Sequence, residues 1–231
     1  MKTSPLKCLP AFVLGILSLA TSAQAALITT IPDLPPLGGV YLSTDVHQIF
    51  GGPALEFILS LPQHKVIVDE LKQKQGVDQI ETFFSSLDAN LERKENGITT
   101  FNGPIQTGGP VTTVVHDRYD AGGVEQLTGT FNTEMLALNL QGGSLPPGVM
   151  IRESPTLPSL GVTKTTALGG GLYRIDSFFD VFTELSIDGG QTWMPSNNGS
   201  GHVELVPEPT SICLLAIGLV FGAVGYIRRR R

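Results

Sequence analysis

Cysteine is absent from residues 26–206; the two cysteines of the 231-residue chain, Cys8 and Cys213, lie in apolar stretches at its two ends. No disulfide framework, thiol nucleophile or cysteine zinc site can form in the part between. A segment of this length buries enough apolar surface to fold without such staples. Positive charge is scarce there too, with nine Lys and Arg against twenty Asp and Glu, a formal charge of −11. That balance excludes nucleic acid as a partner, because binding a phosphate backbone needs a stripe of Lys and Arg to release counterions. It also repels anionic polysaccharide unless divalent cations bridge the two. Paired histidines are missing: His47, His64, His116 and His202 stand singly, without the i, i+2 or i, i+4 spacing of a metal site. Within residues 26–206 there is no G-x-S-x-G, S-x-x-K or H-E-x-x-H, so no catalytic residue, metal or cofactor is assigned. A glycosidase needs only two carboxyls about 5 to 9 Å apart, and Glu134, Glu153, Asp176 and Asp180 are candidates to which the sequence attaches no distance.

The ends are of a different kind. Residues 1–25 hold Lys2 and Lys7, an apolar run over 9–20 and the triplet Ala23, Gln24, Ala25, the order of a signal peptide cleaved after Ala25. Residues 211–227 form an apolar run of about 25 Å if helical, followed by Arg228, Arg229, Arg230 and Arg231. This reads as a transmembrane helix with its arginines kept cytoplasmic, which leaves residues 26–206 on the far side of the membrane as one exported domain.

Within that domain Gly and Pro are frequent and evenly spread, which suits many tight turns. Strands are expected over 111–116, 124–131, 134–141, 149–153, 171–176, 178–187 and 202–206. Leu136, Leu138 and Leu140 alternate with Met135, Ala137 and Asn139, which predicts one continuously apolar strand face. Residues 77–92 fit a helix through Ile80, Phe83, Phe84, Leu87 and Leu91, or a strand through Leu87, Ala89 and Leu91. Thr82, Phe83 and Phe84 and the lack of an N-cap favour the strand. Residues 66–75 leave room for one short helix. His116, Asp117, Arg118, Tyr119 and Asp120 form the densest polar cluster, read as a solvated turn rather than a calcium loop, since calcium draws oxygens from more positions. Asn198, Gly199 and Ser200 form a glycosylation sequon and read as a polar loop before the last strand.

Pro207, Glu208 and Pro209, the apolar run 211–227 and Arg228 to Arg231 follow one another in the order of a sorting tail. This tail resembles the PEP-CTERM signal of exosortase-bearing Gram-negative bacteria, which is also catalogued under an ice-binding label. The resemblance implies a precursor anchored in the inner membrane, processing by signal peptidase and by an exosortase near 207–209, and delivery to the cell surface or the exopolysaccharide matrix. The stretch 133–195, with Leu145, Pro146, Pro147, Gly148 and later Tyr173, Arg174, Ile175, Asp176, is similar to a family of exported PEP-CTERM proteins to which no reaction is attached. Ser186, Asp188, Gly190, Thr192 and Trp193 fit S-x-D-x-G-x-T-W, which resembles the Asp-box of sialidases and other β-propellers. In those proteins the box is a fold element; here Asp188 and the glycines predict a hairpin turn with Trp193 as its anchor, or a sugar-stacking face for Trp193. A single copy does not make a propeller.

The expectation is therefore an all-β, antiparallel, sandwich-like domain at 26–206 between a signal peptide at 1–25 and a sorting tail at 207–231. Its expected role is that of a non-catalytic structural or adhesive component of the surface or matrix, with extracellular polysaccharide as a partner. The alternatives are a secreted carbohydrate-active enzyme and a calcium-dependent carbohydrate-binding module.

Overall fold

The computed structural model describes residues 26–43 and 47–206; the signal segment and the sorting tail read from the sequence lie outside them. Thirteen strands make up one sheet: β1 (Leu27–Thr29), β2 (Val40–Ser43), β3 (His47–Gly52), β4 (Leu55–Gln75), β5 (Asp78–Glu95), β6 (Ile98–Val115), β7 (Gly129–Gln141), β8 (Met150–Glu153), β9 (Ser159–Gly169), β10 (Leu172–Val181), β11 (Thr183–Ser186), β12 (Met194–Pro195) and β13 (Gly201–Val206). Every pairing is antiparallel. The all-β expectation holds, and among the described residues there is no helix.

The sandwich is corrected to a barrel. Strands β10, β13, β2, β4, β5, β6, β7 and β9 follow one another, and β9 pairs back onto β10, so eight strands close on themselves. The physical reason is strand length. β4, β5 and β6 run for 21, 18 and 18 residues, and twist accumulated along strands of that length coils the sheet until its edges meet.

The long strands serve a second ring at the other end. There β3 pairs with residues 55–60 of β4, β8 with 139–141 of β7, β11 with β8 and β12 with β11. A bridge from Phe50 to Ser196 joins the last gap. Both long edge strands break their regular pairing where they change partner. β4 has Leu61 at φ 50° ahead of Pro62, and β7 slips register on β6 so that Leu136 is an extra residue. The line of β10 stops at Phe182 and resumes as β11. Bulges of this kind re-aim a strand and shift its side-chain phase.

That shift explains where the sequence reading fails. In β7 the inward residues are Phe131 and Thr133 before the bulge and Leu138 and Leu140 after it, so Leu136 is exposed and the continuous leucine face does not exist. Residues 66–75 are strand, not helix; two further register shifts in β4 disturb the period of two there. Residues 124–131 are strand only from Gly129, because 118–126 cross the barrel mouth as a loop. Residues 171–187 are one strand interrupted at Phe182 rather than two separated at 177. The strand reading of 77–92 is right: in β5 Phe83, Leu87 and Leu91 point inward. β5 and β6 are joined at Asn96 and Gly97, both at positive φ, the turn whose twist matches a hairpin.

Candidate functional site

The sorting end is built into the barrel. In β13, Gly201, Val203 and Leu205 face inward, and Leu205 has no exposed surface. Val206, paired to Val40, ends the strand, and Pro207 of the tail follows it directly. β10 pairs with β13 through 178–181 and with β1 through 173–175 on the same side. Leu27 and Glu204 are thus opposite residues 175 and 178 of one strand, so the two ends of the domain emerge side by side. Val206 is the last paired residue of the described chain.

A cluster of carboxyls sits where the two rings part. Glu153 ends β8 and accepts a hydrogen bond from the Ser159 hydroxyl at 3.1 Å; that hydroxyl accepts one from the Phe182 amide at 3.1 Å. The Ser154 amide donates to the Phe182 carbonyl at 2.7 Å, pinning the break between β10 and β11. Glu184, in register with Arg152, accepts from its Nε at 2.9 Å and Nη2 at 2.6 Å and from the Ser154 hydroxyl at 3.1 Å. Burial pushes the Glu153 carboxyl up to about 7, against the pull of Ser159, and the negative charges of Glu134 and Glu184 add to the rise. A raised carboxyl near an ionised carboxylate is one requirement of a glycosidase, which also needs the two to flank a bound sugar. Here both are buried, at 7% and 9% exposure, and both are engaged by protein groups. Of the carboxylates considered from sequence, Glu134 lies near enough to Glu153 for its charge to raise that carboxyl. Asp176 pairs instead with Arg174 and Asp180 with His202, on the outer face of β10. Glu184 was missed. The period-two pattern of 178–187 was too noisy to show that its side chain is buried against β8.

Asp188 and Trp193 lie in the turn after β11. The Asp188 carboxylate accepts from the amides of Gln191 and Thr192 at 3.0 and 2.9 Å, from the Thr192 hydroxyl at 2.6 Å and from the Ser186 hydroxyl at 2.8 Å. These bonds hold the carboxyl down to about 2. Trp193 donates from Nε1 to the Gly190 carbonyl at 3.0 Å, and the Arg152 guanidinium stacks 4.0 Å from its ring. One face of the indole is therefore covered.

The polar cluster after β6 is a plug. Arg118 is fully buried and donates to the carbonyls of Gln126 and Pro32 at 2.6 and 2.8 Å and to Glu125 at 3.0 Å, with its guanidinium 5.1 Å from the Phe131 ring. Asp78 accepts from the Asp117 amide at 2.9 Å, and Asp120 from the Val124 amide at 2.9 Å. Among the described residues no group of three His, Cys, Asp or Glu is placed to hold a metal ion. Asn198, in the sequon, donates to the His47 carbonyl and accepts from the Ile49 amide, standing in for a strand residue along β3.

Residues 205–231 match the PEP-CTERM protein-sorting motif. Its first two residues, Leu205 and Val206, are the last rungs of the barrel. The chain therefore carries the tail of the exported, exosortase-processed class of proteins. No curated protein and no solved structure matches the chain.

Proposed function

We propose that the processed chain is a non-catalytic structural or adhesive component of the cell surface or exopolysaccharide matrix of a Gram-negative bacterium, released from an inner-membrane precursor by signal peptidase and exosortase. The observation that carries this reading is the sorting motif joined without a linker to a barrel that is filled. Two interior cavities, of about 40 and 20 Å³, have room for water molecules but not for a sugar ring. Arg118 closes one mouth of the barrel, where an enzyme of this architecture would open a pocket. The test is the intact mass and cell fraction of the protein in its host. A mass from Ala26 to the 207–210 region in the surface or matrix fraction supports the reading. A membrane-bound chain still ending in Arg231 removes it.

A secreted carbohydrate-active enzyme is the second reading, favoured by the raised Glu153 carboxyl beside Glu134 and Glu184. It requires Glu153→Gln to abolish release of reducing sugar from a polysaccharide that the native protein cleaves.

A further inference from the structure

We infer that a groove on the outside of the barrel, over β9, β10 and β13, binds a neutral polysaccharide chain, with Arg174 as its polar anchor and Phe178 as its stacking wall. This rests on the matrix reading and names the partner. The groove encloses about 490 Å³, within the range of small-ligand sites, whereas the barrel interior offers a tenth of that. Strand register composes it. Outward residues of β10 stand beside outward residues of its neighbours, Arg174 by Thr166, Asp176 by Lys164 and Phe178 by Glu204.

The chemistry of the lining is that of a sugar. A pyranose has an apolar C–H face and a rim of hydroxyls. The first suits an aromatic ring and the second suits forked charged groups. Phe178 lines the groove, and His202, tethered to Asp180 at 2.6 Å, packs against its ring with centroids 5.1 Å apart at 32°, which holds the phenyl group in place. Asp176 holds the Arg174 guanidinium through Nε at 3.1 Å and Nη2 at 2.9 Å. That leaves Nη1 without a partner among the described residues, on a side chain that lines the groove, while the carboxylate keeps lone pairs for hydroxyl donors.

Charge selects the class of polymer. Lys164 and Arg174 balance Asp176 and Glu204 inside the groove, while the domain as a whole carries −11. An uncharged chain meets no repulsion there, and an anionic one is opposed by the rest of the surface.

The test is affinity electrophoresis of the full chain in mild detergent through gels containing barley β-glucan, dextran or galactomannan, with alginate as the anionic comparison. Retardation by at least one neutral polymer is expected, weakened about tenfold by Arg174→Ala and by Thr166→Trp, which fills the groove from an exposed position without removing a contact. Should Arg174→Ala unfold, as circular dichroism would show, Thr166→Trp alone decides. No retardation by any of the three, equal retardation of native and Thr166→Trp protein, or a preference for alginate overturns the assignment. Those results leave the matrix reading standing, because that is decided by cell fraction and not by glycan binding.

Discussion

The two ends of the barrel share four strands and differ in how many polar groups they bury. At the end closed by β3, β8, β11 and β12, the buried residues include Phe50, Phe57, Leu59, Leu91, Leu140, Ile151 and Leu185, all at or below 2% exposure, with Gln48, Thr107, Thr183 and Ser186 beside them. At the end closed by β2, β13, β10 and β9, Gln79, Glu81, Thr113, Thr133, Thr163, Thr165 and Ser177 stand among apolar side chains, all at or below 5% exposure. Some of these polar groups satisfy one another: Thr163 and Ser177 hydroxyls are 2.7 Å apart, and Gln79 donates to Glu81. Gln79 Oε1 and the hydroxyls of Thr113, Thr133 and Thr165 have no protein partner, and neither do the Thr107 hydroxyl and Arg93 Nε toward the other end. Unpaired polar atoms cost stability that buried leucines do not. The ring with more unpaired atoms is expected to be the less stable half, with Arg118 bonded across its mouth.

That contrast can be broken most severely at the apolar end. Leu185→Ala should lower unfolding free energy by about 3 kcal/mol, because the residue is fully buried in a tightly packed ring; urea denaturation measures it. Arg118→Ala should cost about 2 kcal/mol by leaving the Gln126 and Pro32 carbonyls without their donor. It should also speed hydrogen exchange in the mouth of the polar ring before the apolar ring, and equal acceleration at both ends would mean that the halves are not independent.

Two titrations sharpen the comparison with opposite signs. Glu153 has its folded value raised from 4.5 to about 7, so the folded state holds the extra proton between those values and stability falls as pH rises through them. His64 lines both interior cavities, and desolvation lowers its imidazole from 6.5 to about 4, so stability falls as pH drops through that window. Glu153→Gln should leave a protein that weakens on acidification below pH 6.5, and His64→Gln one that strengthens. Each slope should be worth about 1 to 2 kcal/mol after allowance for solvent screening, and thermal melts between pH 4 and 8 measure it. The smallest effect is expected at Asn198→Ala, about 1 kcal/mol, with loss of amide protection confined to β3.

The legible part of the fold was whatever obeyed a period of two without interruption. β5 reads as a strand because Phe83, Leu87 and Leu91 keep one phase over its inward face. β7 misleads because the bulge at Leu136 reverses the phase, and β4 misleads because three register shifts interrupt it. The barrel was not legible, because closure depends on β9 meeting both β7 and β10. Those pairings join residues as far apart as Gly129 and Thr165. Among site residues, Glu153 was a candidate from sequence, but its company of Glu184, Ser159 and Phe182 arises only where three strands part.

What the sequence determined alone is local and chemical: the cysteine-free domain, its acidic surface, the strand habit of its residues and the sorting tail, each set by residue type and spacing within a short window. The tertiary structure decided that the sheet closes, that one end buries more polar groups than the other, and that a neutral groove forms on an acidic wall. Each of these depends on which strands become neighbours, and twist and bulges set that only once the whole sheet is assembled.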